Sequence, residues 1–358
     1  MLTELKLSNF KRFERLKLPL RGLTLLSGLN SMGKSTIIQS LLLLRQAFER
    51  GHLDKGIFLN GLYTNVGIGS DLLFQDASKE EIMICLSTEG AECIWRYKYN
   101  KSADYLEVVK SSYSTSLSHM SLFGDQFEYL CAERLGPQLS YAKSYYDVMV
   151  RKQIGAHGEY AVNYLAEMRG SEVQNKMVLH PNEPDSHLLA QTERWLDEIT
   201  PGTRVKFEDN GHANTIGFLV SQGNAFYHSA TNVGFGLSYV LPIILSLLKA
   251  PKDGLVILEN PEAHLHPAGQ SKMGELIARA VAGGVQVILE THSDHVLNGI
   301  RLSAKRGILH PNQTALYYLC ANRGERYYEH PELKADGRLT FWPNGFFDEW
   351  DKAIDEMF

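Results

Sequence analysis

Cysteine is scarce. There are four in 358 residues (Cys85, Cys93, Cys131, Cys320), and none stands at a metal-site spacing. That argues against a cysteine-built zinc module or a disulfide scaffold, and leaves buried thiols of a reducing compartment. Long apolar runs are missing too. The longest beside a predicted helix, residues 240–248, falls well short of the ~20 residues that cross a bilayer. The first residues enter a strand pattern directly, without the look of a signal peptide, so we expect a cytoplasmic chain and no membrane partner. Positive charge is not in excess: the net charge is −5, and no global basic field draws the chain onto nucleic acid. Sustained heptads, internal repeats and low-complexity tracts are absent, which excludes a long coiled-coil arm. A 44% apolar, 22% charged composition remains, that of a globular chain long enough for one large or two ordinary domains.

The stretch that organises the chain is L-T-L-L-S-G-L-N-S-M-G-K-S-T-I-I-Q, residues 23–39. An apolar strand (Leu23, Leu25, Leu26) breaks at Ser27-Gly28, and an apolar helix follows Gly33-Lys34-Ser35-Thr36. Gly28-x-x-x-x-Gly33-Lys34-Ser35 is P-loop spacing, and it counts here because a strand precedes it and a helix follows. The two glycines let backbone N–H groups turn toward an anion. The helix adds its positive end, Lys34 a charge for the β- and γ-phosphates, and Ser35 a hydroxyl for Mg²⁺. Asn30, Ser31, Met32 and Thr36 complete the expected nucleotide-facing set. The bland alternative is a glycine loop joining a strand to a helix.

In chain order, residues 2–20 alternate as two strands around Asn9-Phe10-Lys11-Arg12-Phe13. Residues 51–76, rich in Gly, Asn and Asp, read as a long loop. Residues 82–86, 93–99 and 106–109 predict an antiparallel sheet, and residues 126–132 a strand delivering Glu133-Arg134. Residues 145–199 read as mostly helical, broken near Pro181 and Pro184. Strands follow at 205–208 and 216–220. Thr231-Asn232-Val233-Gly234-Phe235-Gly236 then leads into an apolar helix to residue 248. The remainder alternates strand and helix (255–258, 268–281, 285–289), with edge strands at 316–319 and 327–329. The expected division is a P-loop lobe with an antiparallel subdomain (1–135), a mainly helical lobe (136–230), the second half of the core (231–336) and an aromatic, acidic tail (337–358).

A P-loop needs an acid for Mg²⁺ and a group to orient water. L-V-I-L-E-N-P-E, residues 255–262, supplies an apolar strand ending in Glu259 and Glu262, where ligands bind in open α/β sheets. The next strand ends at Glu290-Thr291-His292-Ser293. His292 could hydrogen-bond a γ-phosphate; equally, Thr291 or Ser293 could simply cap the following helix.

Taken together, S-G-L-N-S-M-G-K-S-T, V-G-F-G-L-S, I-L-E-N-P-E-A-H-L-H-P and L-E-T-H-S-D-H resemble the ABC-type ATPases of the RecF/SMC/OLD-like branch. More narrowly, they are similar to stand-alone bacterial ATPases of that branch ending in W-P-x-G-F-F, here Trp342 to Phe347. The resemblance implies an α/β, ABC-ATPase-type P-loop fold, a mixed sheet with an antiparallel β subdomain and an inserted helical lobe. It also implies ATP and Mg²⁺ as cofactors and an ATP-dependent head-to-head homodimer, each P-loop facing the partner's signature segment. Lys11 or Arg12 would lie beside the nucleotide, and His292 would hold the switch position. Glu259 takes the place of the magnesium-side acid. Asn260 stands where the branch usually has a Glu, and Asn cannot accept a proton at neutral pH. Water orientation then falls to Glu262, or hydrolysis is slow. The signature Ser-x-Gly reads Gly234-Phe235-Gly236, so backbone N–H groups, or Thr231 and Asn232, would have to meet the opposing γ-phosphate. Relatives act at DNA ends or in antiphage defence beside an effector nuclease. No nuclease set is visible here, so such an effector would be a separate protein. DNA contact would rest on Arg151-Lys152 and the cluster at Arg301, Lys305 and Arg306. Two other classes stand against this reading: a transporter ATP-binding subunit, and a metal-dependent nuclease built on His264, His266, His292, His295 and Asp294.

Overall fold

The computed structural model describes residues 1–113, 117, 120–223, 226–322, 325–347, 354 and 356–357. Two compact units emerge: Met1–Phe127 with Thr314–Glu332 and Thr340–Phe358, and Glu128–Gln313 with Leu333–Leu339.

The first unit begins with the hairpin β1 (Leu2–Phe10) and β2 (Phe13–Pro19), whose Leu5, Leu7, Leu16 and Leu18 are buried. Alternation puts those leucines on one face, as period two requires. The tight turn takes Asn9 and Lys11 through left-handed φ values of 52° and 49°. Strand β3 (Leu23–Gly28) is buried throughout and delivers the chain to helix α1 (Lys34–Glu49). Residues 51–76 are not the plain loop their composition predicts. They hold β4 (Gly56–Phe58) and a one-turn helix α2 (Gly69–Leu72). Ile57, Leu59 and Leu72 are fully buried, and three scattered apolar anchors leave too short a pattern to read. Strands β5 (Glu81–Thr88), β6 (Ala91–Lys98) and β7 (Tyr105–Ser112) complete a six-stranded sheet in the order β2-β1-β5-β6-β7-β4.

The second unit contains β8 (Phe127–Leu130), β9 (Tyr141–Ala142), α3 (Ala161–Met168), α4 (Leu188–Ile199), β10 (Thr203–Asn210), β11 (Thr215–Gln222) and β12 (His228–Ser229). Then come α5 (Phe235–Lys249), β13 (Leu255–Glu259), α6 (Pro267–Ala282), β14 (Gln286–Glu290) and α7 (Asp294–Lys305). Residues 145–199 are less helical than their pattern suggests. Besides α3 and α4 they hold only a π-turn at Tyr146–Val150 and a 3₁₀ turn at Lys176–Val178. Gly155 and Gly158, at φ 86° and 73°, turn the chain where a helix would have to continue. Strands β13 and β14 run parallel and in register from Leu255↔Gln286 to Glu259↔Glu290, so both chains end at one level.

The chain re-enters the first unit with β15 (Thr314–Asn322) and β16 (Glu325–Glu329). Strand β15 is not the edge expected of it: β3 pairs with it in parallel and β16 antiparallel. Continuous burial from Ala315 to Leu319 is the mark of an interior strand. Beyond it, Phe346 is fully buried with its ring 5.4 Å from Tyr318. Residues 348–353, 355 and 358 of the expected acidic tail lie outside the described residues. Among the described residues, no helix is long and apolar enough to cross a membrane.

Candidate functional site

The first unit builds the P-loop. Gly28, Ser31 and Gly33 have φ values of 132°, 66° and 113°, and such left-handed residues turn backbone N–H groups toward a common centre. A Cβ on Gly28 would stand 2.2 Å from the Leu319 carbonyl oxygen, and one on Gly33 2.5 Å from the Phe13 ring. The backbone therefore runs where only glycine fits. Leu29, Asn30 and Ser31 are exposed, Met32 is half-buried, Ser35 is exposed and Thr36 buried. Lys34 is buried beneath this rim, and its Nζ donates to the carbonyls of Gly28 at 2.9 Å and Leu29 at 3.0 Å. Converging N–H groups, a helix start and an ammonium group suit phosphate oxygens. The exposed Ser35 hydroxyl on the first turn of α1 is a hard ligand of the kind Mg²⁺ takes. Lys11 is partly buried: its Nζ donates to Gln39 Oε1 at 2.8 Å, and desolvation lowers its pKa. Arg12, its neighbour in the turn, is exposed.

The second unit gathers the acids. Glu259 closes β13, and its Oε1 accepts from the Tyr129 hydroxyl at 3.0 Å while Oε2 accepts from the Ala132 N–H at 3.4 Å. Burial raises its carboxyl pKa above the ordinary range, against the pull of those two bonds. Asn260 follows in a left-handed conformation, φ 45°, its N–H bonded to the Glu290 carbonyl at 2.9 Å. Its Oδ1 is buried without a hydrogen-bond partner among the described residues. Glu262 spans the gap to the next strand end: Oε2 accepts from the Thr291 hydroxyl at 2.7 Å and Oε1 from the His292 backbone N–H at 2.8 Å. Ser293 caps α7 through the Val296 N–H, as the capping alternative expects, and His292 stands exposed beside it.

At the start of α5, Gly234 is open and Phe235 exposed, but Gly236 is pressed against the chain, where a Cβ would meet the His264 carbonyl oxygen at 2.7 Å. The histidines do not assemble into a metal centre. His264 packs on Tyr239 at 4.5 Å, His266 caps α6 and His295 lies beside Asp294. Among the described residues no group of three or more His, Cys, Asp or Glu side chains is gathered to hold a metal ion. The basic residues are largely committed. Arg301 donates to the Gly337 carbonyl and Asn298, Arg306 pairs with Glu275, and Arg151 with Asp147. Tyr129 escaped the sequence reading, and Arg134 was noted only as half of a charged pair following an apolar strand, without a role.

Three family models match successive parts of the chain. The "AAA ATPase domain" covers residues 1–133, the "AAA domain, putative AbiEii toxin, Type IV TA system" residues 163–298, and the "Protein of unknown function (DUF3696)" residues 309–357. No curated protein matches. Among solved structures, an SMC head bound to the C-winged helix domain of ScpA aligns with TM-score 0.59 and 12% identity over 93% of this chain and 98% of that one. An Smc head with an extended coiled coil, bound to the C-terminal domain of ScpA from Pyrococcus furiosus, aligns with TM-score 0.54 and 12% identity over 99% of both chains. The chain has the fold of an ABC/SMC-like P-loop ATPase.

Proposed function

From that fold, we propose that the protein binds ATP with Mg²⁺, hydrolyses it slowly to ADP and phosphate, and uses the bound nucleotide as a switch between separate and paired subunits. The observation that carries this is the P-loop itself: a buried lysine under a rim of left-handed residues in which two glycines admit no side chain. In this reading Lys34 neutralises the β- and γ-phosphates, and the N–H groups of residues 30–36 hold their oxygens. Ser35, with Glu259 through water, would hold Mg²⁺, which when bound screens the charge on the transferred phosphoryl group. Lys11 or Arg12 adds positive charge beside the nucleotide. His292 reads the γ-phosphate from the segment that Glu262 fixes, and Glu262 is the carboxylate available to orient water. Asn260 in place of an acid is the reason turnover is slow.

A γ-phosphate held by both P-loop and signature N–H groups joins two copies by charge-assisted bonds, and hydrolysis releases them. In a head-to-head pair the N–H groups at Gly234 and Gly236 would serve the partner's nucleotide. A separate effector such as a nuclease, in antiphage defence or DNA maintenance, is the partner we propose to read that state. The toxin–antitoxin label on one matching family and the ScpA bound to both solved heads support a protein partner. The first test is Lys34→Ala. It should weaken binding of a non-hydrolysable ATP analogue at least about tenfold and abolish turnover, with the chain still folded and stability lower by ~1.5–3 kcal/mol for each charged hydrogen bond removed. Wild-type affinity and turnover in that variant would falsify the P-loop assignment.

A further inference from the structure

Arg134 has no part in the reading above, yet it is 3% exposed and bonded to four backbone carbonyls. Its Nε donates to the Tyr239 carbonyl at 3.1 Å. Nη1 donates to Cys131 at 2.8 Å and Glu259 at 2.7 Å, and Nη2 to Asn260 at 2.7 Å, all carbonyls. The guanidinium carbon also lies 5.4 Å from the centre of the Tyr239 ring. Burying that charge against neutral acceptors is costly unless every bond is made, so the four carbonyls and the fork define each other's positions.

These carbonyls belong to elements with different tasks. Glu259 and Asn260 are the end of β13, where the chain turns left-handed beside the acids. Tyr239 lies one turn into α5, the helix that starts at the signature glycines. Pro242 sits inside that helix; it cannot donate to the Ser238 carbonyl, and its ring crowds the same turn. One intrahelical bond is thereby missing in the turn next to the carbonyl that Arg134 holds. A second contact joins α5 to the turn that continues from that strand end, because Gly236 is pressed on the carbonyl of His264, four residues past Asn260. We infer that Arg134 is a positioning residue that couples the first turns of α5 to the Glu259–Asn260 strand end, so that displacement of the signature segment is felt at the acids. The catalytic consequence rests on the ATPase reading; the mechanical coupling does not.

The test uses the full chain and two variants, Arg134→Lys and Gly236→Ala. Lysine keeps the charge but reaches fewer carbonyls, so ATP turnover should fall ~10–100-fold through misplacement of the acids. Affinity for a non-hydrolysable analogue should stay within about twofold, because uniform binding is not what is lost. Backbone amides of residues 235–241 and of Glu259, Asn260 and Glu262 should exchange faster together, with α7 unchanged. Gly236→Ala, which pushes α5 off His264, should also speed exchange at 259–262. In the double variant the two losses of turnover should not multiply. Wild-type turnover and exchange in Arg134→Lys, independent effects in the double variant, or undisturbed exchange at 259–262 in Gly236→Ala would each overturn the coupling. If Arg134→Lys does not fold, Gly236→Ala decides alone. A wild-type chain without turnover would remove the ATPase reading, and the exchange measurements would still decide the coupling.

Discussion

Glu262 is the residue whose side-chain geometry discriminates most sharply between roles. Each of its carboxylate oxygens accepts one bond, from Thr291 Oγ1 and from the His292 N–H, and so fixes the segment bearing His292. Glutamine can keep that brace, because its oxygen can accept from the N–H and the threonine hydroxyl can turn to accept from its amide. Alanine cannot. If bracing is the dominant role, Glu262→Gln should retain turnover within about threefold while Glu262→Ala loses it by about a hundredfold. If the carboxylate orients water, glutamine should be as damaging as alanine and should trap ATP in a long-lived complex. Single-turnover hydrolysis of the two variants separates the roles. Glu259 answers to pH. Burial raises its folded carboxyl above the unfolded value of about 4.3. The folded state therefore keeps the proton longer, and stability contributed by this group falls as pH rises through that window. Glu259→Gln removes the charge. Its urea midpoint should pull ahead of wild type as pH rises above about 4, while Mg²⁺-dependent nucleotide binding weakens. A gap between the two midpoints that does not change with pH would contradict the assignment.

At the scale of elements, β15 is what holds the P-loop from beneath. Leu319 pairs in register with Gly28 and Tyr318 with Ser27, and the Leu319 carbonyl occupies the space a side chain on Gly28 would need. The W-P-N-G-F-F segment in turn packs on β15. Phe346 is buried against Tyr318, and Gly345, at φ 85°, passes so close that a Cβ would stand 2.5 Å from the Tyr318 hydroxyl. Phe346→Ala should therefore cost ~3–5 kcal/mol, the range for emptying a buried aromatic site. Urea denaturation of the full chain checks this. A loss below 1 kcal/mol on the ~3–5 scale would mean that the segment is an appendage and not part of the core.

For the whole molecule, the proposal is a mass that depends on nucleotide. Light scattering at micromolar protein should report a doubled mass with the non-hydrolysable analogue and a single mass without it; an unchanged mass counts against the paired state. Nucleic acid is the weaker candidate as a direct partner. The net charge is −5, and Arg301, Arg306 and Arg151 already have intramolecular acceptors. Duplex DNA titrated across a salt series should show little binding even at low salt. Tight binding that falls steeply with salt would instead restore the basic clusters as a phosphate-contacting surface.

By itself the sequence determined what depends on neighbours in the chain. The P-loop is a backbone conformation set by two glycines and a lysine within eight positions, so spacing together with the flanking strand and helix patterns revealed it. The apolar run 255–258 fits a buried strand, which it forms, and that puts the carboxylate after it at the strand's end. Tertiary structure alone decided which partners those groups meet. Arg134 reaches Glu259 and Asn260 across 125 and 126 positions, and Tyr129 reaches Glu259 across 130. Strand β15 looked like an edge because burial on both faces depends on β3, nearly three hundred residues earlier in the chain. Such contacts leave no periodic trace, because their free energy is realised only when distant segments are already packed together.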